Sequence, residues 1–270
     1  MKKLIRLVKR TVTVVLSLFV CLSFPAQAQN FVPYDSFNGT FINPSKWSTF
    51  PGGCPSFSVL ECVREIQNTQ LRLAVRGYGA TDSNEGIQFG ASELHFINPT
   101  PIKAISTQLV VRRTSALGCP ANSGEGSHAH ALLSGSFFNS GSGNPADDVQ
   151  AFIIFDRFSS DPTGVTSAQA FLFWQGQFFG GVGLGNVKVG QEVIARLMWD
   201  QTHHQFVASW TNVNTGSGVQ AAMPYTIPDT TPPAASFKLL GVRTFTPNCV
   251  GTRALFAYME ATFDDVQIGK

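Results

Sequence analysis

The chain has 270 residues and a formal net charge of +2, and 13% of its residues are charged. After its first ten residues it contains no block of basic residues, so the sequence excludes nucleic acid as an expected partner. The 25 glycines, 15 prolines and 23 phenylalanines predict many short strands joined by tight turns, which is typical of an all-β domain.

The first 28 residues have the parts of a secretory signal peptide. Basic residues lie within Met1–Arg10, an apolar run extends from Thr11 to Phe24, and Ala26-Gln27-Ala28 is a small-residue cleavage site. The apolar run is shorter than the roughly 20 residues of a membrane helix, and no later stretch reaches that length without charges. We expect cleavage after Ala28 and one domain over residues 29–270, with an uncleaved anchor as the alternative. The mature chain would have a net charge of −3, no membrane span, and a secreted or periplasmic location.

Four cysteines follow the leader: Cys54, Cys62, Cys119 and Cys249. An even number in an exported chain predicts two disulfides, for which the sequence alone allows three pairings. We expect Cys54–Cys62, which closes a short proline-containing loop, and Cys119–Cys249, which joins two polar loops. A zinc site is disfavoured because the spacings contain no C-x-x-C pair.

Alternating apolar residues predict strands along most of the mature chain. Leu71, Leu73 and Val75 form one such pattern, and a second covers Ala104–Arg113. Two further strands are predicted at Ala131–Phe138 and Val149–Phe158, separated by a loop. We predict two antiparallel sheets packed face to face. The residues expected to be buried between them are Leu71, Leu73, Leu109, Val111, Ile153, Leu197 and Phe206.

Two histidines separated by one residue, His128 and His130, end a polar stretch that begins at Cys119. On a strand, their rings would share one face and form part of a metal site. The sequence offers no evident third ligand, so the simpler interpretation is a solvated loop end. His203 and His204 lie in a predicted turn, where we expect them to be exposed.

An aromatic hairpin is predicted around Trp174-Gln175-Gly176-Gln177, which separates strands at Ala168–Phe173 and Phe178–Gly181. Flat aromatic rings can stack on the apolar faces of sugar rings. Most aromatic residues here are nevertheless interpreted as core residues, namely Phe171, Phe173, Phe178 and Phe179. Trp174 differs because it lies at the turn beside Gln175 and Gln177, and these three residues are the predicted ligand-binding site.

A second hairpin is predicted within Val187–Val213. Val193, Ala195, Leu197 and Trp199 alternate on one side of a polar turn, and Phe206, Ala208 and Trp210 alternate on the other. A period of two residues indicates strands, and a short polar turn between two such runs indicates an antiparallel pair.

Both ends of the chain carry short recognisable motifs. The opening contains Asp35-Ser36-Phe37 followed by a Pro-x-x-Trp turn at Pro44–Trp47, and the chain closes with Phe263-Asp264-Asp265-Val266-Gln267-Ile268. With the strand at Leu71–Val75 and the Val187–Val213 hairpin, these motifs resemble, in order, the concanavalin A-like lectin/glucanase superfamily over residues 31–268. The resemblance implies an all-β fold, a two-sheet antiparallel jelly-roll sandwich.

The catalytic motifs of this superfamily are missing. The glucanase branch uses a strand-borne Glu-x-Asp-x-x-Glu, and none of the seven glutamates of this chain fits that spacing. The alginate-lyase branch would need Arg-x-Glu-x-Arg and Gln-x-His, neither of which Arg64-Glu65-Ile66-Gln67 provides. The chain also lacks the G-x-S-x-G of serine hydrolases. The sequence therefore identifies no catalytic residue.

The resemblance also implies a structural calcium ion, which in the glucanase branch is often held by an aspartate of the closing strand. Asp264 stands at the matching position, and a backbone carbonyl near Gly39 is a candidate partner. Calcium takes roughly six to eight oxygen ligands, so carbonyls and water would complete the shell. The alternative is that Asp264 only accepts hydrogen bonds from backbone amides.

These patterns favour a secreted, non-catalytic domain that binds carbohydrate or another extracellular ligand. One alternative is a glycoside hydrolase or polysaccharide lyase with an unrecognised active site. Another is an extracellular structural or adhesion module. The sequence does not indicate the oligomeric state.

Overall fold

The computed structural model of the chain describes residues 30–48, 60–121, 126–250 and 255–270. Within these residues, fifteen strands, numbered β1–β15 in chain order, and two short 3-10 helices, Pro145–Asp147 and Gln201–His203, make up the regular structure. None of the described residues lies in a helix that is long and apolar enough to cross a membrane. The predicted signal peptide lies outside the described residues.

Eight of these strands form the first sheet, called sheet I. Their bounds are β1 (Val32–Asp35), β3 (Leu60–Gln67), β4 (Gln70–Tyr78), β6 (Ala104–Ala116), β11 (Glu192–Asp200), β12 (Gln205–Asn212), β13 (Gly218–Pro224) and β15 (Phe256–Gly269). The strand order is β13-β12-β11-β6-β15-β4-β3, with β1 paired to the end of β15.

The other seven strands form sheet II. Their bounds are β2 (Trp47–Ser48), β5 (Ile87–Phe96), β7 (His128–Asn139), β8 (Asp148–Phe158), β9 (Val165–Trp174), β10 (Gln177–Lys188) and β14 (Lys238–Pro247). The strand order is β10-β9-β8-β7-β14-β5-β2. Neighbouring strands of both sheets run antiparallel, so the fold is the predicted two-sheet antiparallel jelly-roll sandwich.

The core lies between the inner faces of the two sheets, where alternate residues of each strand meet. All seven residues predicted to be buried are at most 1% exposed, which confirms the period-two interpretation. The Val187–Val213 hairpin is confirmed as β11 and β12 of sheet I. Its register places Leu197 opposite Ala208 and Trp199 opposite Phe206, so the predicted apolar residues of both strands share the buried face.

A disulfide joins Cys119 to Cys249, which confirms the predicted long-range pair. The bridge links the segment after β6 to the segment after β14, one from each sheet. Cys62 is also disulfide-bonded, while its predicted partner, Cys54, lies outside the described residues. Disulfides persist mainly in oxidising compartments, so the Cys119–Cys249 bridge fits a protein that acts outside the cytosol.

Candidate ligand groove on sheet II

Strand β8 shows how the sequence gives sheet II an inner and an outer face. Its inward residues are fully buried in the core: Val149, Ala151, Ile153 and Phe155. The residues between them line a cavity on the outer face: Gln150, Phe152, Ile154, Asp156 and Phe158. Because successive side chains of a strand point to opposite faces, one set builds the core while the other builds the cavity.

The cavity has a volume of about 800 Å³ and takes its lining from β5, β7, β8, β9, β10 and β14. Pockets that bind small ligands commonly measure about 300–1,000 Å³. We call this cavity the groove.

A row of four aromatic rings crosses the sheet at one side of the groove. Phe89, Phe245, His128 and Phe158 face one another in register on β5, β14, β7 and β8. The ring centroids are 5.1 Å apart for Phe89 and Phe245, 4.4 Å for Phe245 and His128, and 5.1 Å for His128 and Phe158. These separations are those of packed aromatic pairs, so the row forms a continuous wall.

A second aromatic group forms the other side of the groove. Phe152 stacks on Phe171 with centroids 5.0 Å apart and planes at 19°. Phe171 packs against Phe173 at 5.6 Å, and Phe173 meets Phe178 of β10 at 6.4 Å. Phe178 is 65% exposed, so its ring is available to a ligand.

Polar residues form the floor between the two aromatic walls. Arg243, His130 and Asp156 lie side by side on β14, β7 and β8, two residues along each strand from the first wall. His130 is 6% exposed and Asp156 is 2% exposed. The Asp156 carboxylate is 3.6 Å from Nδ1 of His128 and 4.0 Å from Nδ1 of His130. Both distances exceed that of a hydrogen bond.

The floor is held near electrical neutrality. Burial raises the pKa of Asp156 to about 7, although the backbone N–H of Arg157 opposes this shift. Burial lowers the pKa of His128, and burial together with the charge of Arg243 lowers the pKa of His130 well below its usual value. Both histidines are therefore neutral at pH 7, and their contacts with Asp156 are not ion pairs.

Arg243 is already paired with an acid. Its Nε donates to Oε1 of Glu93 at 2.5 Å, and Oε2 of Glu93 lies 3.2 Å from Nε2 of His95. Burial favours the neutral form of Glu93, but the hydrogen bond to His95 and the charge of Arg243 outweigh burial and lower its pKa. Arg243, Glu93 and His95 also line an adjoining cavity of about 510 Å³ over β5 and β2. The two cavities share Arg243 in their linings, so the second cavity begins beside the groove on the side of β5.

The predicted ligand-binding residues lie at the end of the second wall. Trp174 is the last residue of β9 and Gln177 the first of β10, and the two are paired across the turn. Trp174 packs partly against the core and meets Phe179 at 6.1 Å, while Gln175 donates to Asp147 at 2.9 Å. None of the three lines the groove, and a ligand role for them stays a prediction.

The interpretation of the neighbouring phenylalanines as core residues is wrong. Phe171 and Phe173 pack against the small outer cluster around Phe152 and not against the main core, and Phe178 and Phe179 are 65% and 40% exposed. The strand phase explains the difference: Ala168, Ala170 and Leu172 are the residues of β9 that fill the core. The inward side chains of β9 are small enough for the two sheets to pack closely, and the large rings of Phe171 and Phe173 lie on the outer face.

The two histidine predictions have different outcomes. His128 and His130 do share one face of a strand, with ring centroids 5.7 Å apart, but they are part of β7 and not a solvated loop end. His203 and His204 are confirmed as exposed, with 55% and 62% of their side-chain surface accessible. Within the described ranges, no group of three or more His, Cys, Asp or Glu side chains is arranged to hold a metal ion.

Asp264 lies at a bulge between β15 and β6. Its Oδ1 accepts the backbone N–H of Asp265 at 2.8 Å, and its carbonyl accepts from the Thr107 hydroxyl at 2.7 Å. Burial raises the pKa of the Asp264 carboxyl. The predicted calcium ion at this position stays a prediction.

Sequence reasoning missed Asp156, Arg243 and Gln169 as groove residues. The available signal was a charged residue at the outward phase of an otherwise apolar strand, as in Phe155-Asp156-Arg157 of β8. Assigning that phase to an open groove requires knowing which strands lie beside β8, because Arg243 is 87 positions away in the chain.

No protein-family model matches the chain, and no curated protein matches it. Among solved structures, the chain is similar to the GlcNAcα1-4Gal-releasing endo-β-galactosidase of Clostridium perfringens, with a TM-score of 0.50 at 11% identity. That alignment covers 90% of this chain and 64% of the galactosidase. Winged bean acidic lectin has a TM-score of 0.43 at 12% identity, covering 89% of this chain and 99% of the lectin. Lectin II of Ulex europaeus has a TM-score of 0.39 at 11% identity, covering 82% and 95% of the two chains. At such identities a likeness concerns the fold alone, and this chain has a jelly-roll fold of the kind seen in the galactosidase.

Proposed function

We propose that the mature chain is an exported protein that binds carbohydrate in the groove on sheet II. The observation that carries the proposal is the pairing of two aromatic walls with a polar floor in a cavity of about 800 Å³. Sugar rings have apolar C–H faces and hydroxyl edges. The aromatic walls can stack on the C–H faces, and polar groups such as Gln150, Gln169 and Asp156 can form hydrogen bonds with the hydroxyl edges.

The positions of the groove carboxylates favour binding over hydrolysis. Within the described residues that line the two cavities, the carboxylates are Asp156 on β8 and Glu93 on β5. β7 and β14 lie between these strands, so the two backbones are about 14 Å apart at the usual strand spacing. Glycosidases that use two carboxylates hold the carboxyl groups themselves roughly 5–9.5 Å apart, so a catalytic pair here would need both side chains to lean toward each other across β7 and β14. Glu93 is also occupied by Arg243 and His95.

A glycan array probed with residues 29–270, followed by calorimetric titration of each hit, tests this proposal. Phe178→Ala should weaken binding by about tenfold, because the variant removes an exposed ring from the wall. Its matched control is Phe179→Ala, since Phe179 is the adjacent residue on β10 but does not line the groove. Equal losses in both variants, or an array without hits, would contradict a groove site.

The same titration tests the residues predicted from the hairpin. Trp174→Ala, Gln175→Ala and Gln177→Ala should weaken binding only if the ligand extends past Phe178 over the turn. A reducing-sugar assay on each bound glycan tests the alternative of a hydrolase or lyase. Release of new reducing ends would replace the binding proposal with an enzymatic one.

A further inference from the structure

The groove floor contains buried polar atoms that have no hydrogen-bond partner among the described residues. They are Nδ1 and Nε2 of His130, Nδ1 of His128 and Oδ1 of Asp156. Most buried side-chain polar atoms in folded proteins are hydrogen-bonded, and each exception costs free energy. Four such atoms at one place therefore need an explanation.

These atoms lie just beneath the surface of the groove and have almost no solvent-accessible area, so a ligand reaches them only when the side chains that carry them shift slightly. His128, His130 and Asp156 all line the 800 Å³ cavity. The gaps of 3.6 Å and 4.0 Å separate Oδ2 of Asp156, the neighbour of the unpartnered Oδ1, from the two Nδ1 atoms, and they are too long for a direct hydrogen bond. They are short enough for one hydroxyl group to bond to both sides.

We propose that Asp156 and His130 form the specificity-determining pair of the groove, where they receive a hydroxyl group of a neutral sugar. A hydroxyl both donates and accepts, and a neutral imidazole has one nitrogen of each kind. One hydroxyl can therefore donate to Asp156 while it accepts from His130. This inference rests on the proposed function, because it assigns the recognition step of the same groove.

The surrounding charges argue for a neutral ligand over an acidic one. The cation that faces the floor from β14 is Arg243, and Glu93 of β5 already neutralises it. From β7, His128 and His130 contribute no charge at neutral pH because burial lowers the pKa of both. From the loop after β8, Asp161 adds negative charge next to Asp156. A ligand carboxylate would thus meet no free positive charge among the described residues of this floor.

Recognition by Asp156 should make binding depend on pH. The pKa of Asp156 is raised to about 7, so the carboxyl is mostly neutral at pH 6 and mostly ionised at pH 8.5. The ionised form accepts a charge-assisted hydrogen bond, which is stronger than the bond of the neutral acid. Affinity for a neutral sugar should therefore rise by about fivefold between pH 6 and pH 8.5. By linkage, the bound sugar should lower the pKa of Asp156.

The experiment measures the affinity for a neutral glycan hit of the array at both pH values. It uses wild type, Asp156→Asn, and the control Asp82→Asn. The control removes an exposed carboxylate from the loop between β4 and β5. Wild type and Asp82→Asn should show the fivefold rise, and Asp156→Asn should bind equally at both pH values. A carboxyl NMR titration of the wild type, with and without sugar, gives the shift in the pKa of Asp156 and does not depend on the variant's folding.

Two outcomes separate this inference from the proposed function. If Phe178→Ala weakens binding but the affinity is independent of pH and the pKa of Asp156 does not move, the groove binds sugar and the Asp156–His130 assignment is wrong. Tighter binding of a uronate-bearing glycan than of its neutral counterpart also overturns the assignment. If no glycan binds at either pH, the proposed function itself fails.

Discussion

The indole Nε1 of Trp47 donates a 2.6 Å hydrogen bond to Oδ2 of Asp35. This bond joins the two halves of the opening motif and links β1 of sheet I to β2 of sheet II. Oδ1 of the same carboxylate lies 3.4 Å from Nζ of Lys46 and accepts the backbone N–H of Phe37 at 3.2 Å. Trp47 and Phe37 are each 2% exposed, so the motif closes one side of the core.

Asp35→Asn and Trp47→Phe should each destabilise the fold by about 1.5–3 kcal/mol, because each weakens or removes a bond to a charged acceptor. Urea unfolding of the two single variants and the double variant measures this. The double variant should lose less than the sum of the single losses, since both variants remove the same bond. Strictly additive losses would show that the bond contributes no coupling energy.

Lys238 should make stability depend on pH above neutrality. Its side chain is 0% exposed, its Nζ donates to the carbonyl of Ser136, and burial lowers its pKa to about 7. Between pH 7 and about pH 9.5 the unfolded chain therefore binds more protons at this position than the folded chain. Stability should rise across this interval by roughly 2–4 kcal/mol.

Lys238→Met keeps the length of the side chain and removes the amine. Its unfolding free energy should be nearly constant across the same pH interval, as measured by urea unfolding at several pH values. Lys188→Met, at an exposed position of β10, is the matched control and should keep the wild-type slope. A wild-type profile without slope would refute the burial argument.

The Cys119–Cys249 bridge closes a loop of 130 residues. In the chain-entropy model, its removal should cost about 4–5 kcal/mol of stability. The double variant Cys119→Ser/Cys249→Ser, unfolded in urea beside the wild type, tests this value. A loss below about 1 kcal/mol would mean that the two loops stay ordered without the bridge and that the entropic estimate does not apply.

Calcium at Asp264 can be tested by thermal unfolding of the mature chain in millimolar calcium and then with a chelator. If the ion binds, calcium should raise the melting temperature by mass action, and Asp264→Ala should abolish the increase. Identical melting temperatures with calcium and with chelator would leave Asp264 with its observed role, that of accepting the backbone N–H of Asp265.

The sequence by itself determined the strands and the identity of the core. In Val193–Trp199 and Phe206–Trp210, apolar residues alternate with more polar ones. The residues alone then tell which face of the strand points into the core, because burying the polar set would cost too much free energy. The same reasoning located Leu71, Leu73 and Leu109 in the core. The end motifs indicated the jelly roll.

Only the tertiary structure decided where the groove lies. In β8 and β9 both alternating sets of side chains are largely apolar, so the alternation does not tell which set points into the core. From the sequence, Phe171 could point inward as well as Leu172. The choice depends on the space between the sheets, which Ala168, Ala170 and Leu172 fill. The polar floor is likewise a product of strand order, because Arg243, His130 and Asp156 become neighbours only when β14, β7 and β8 pair. No local pattern encodes such contacts between distant parts of a chain.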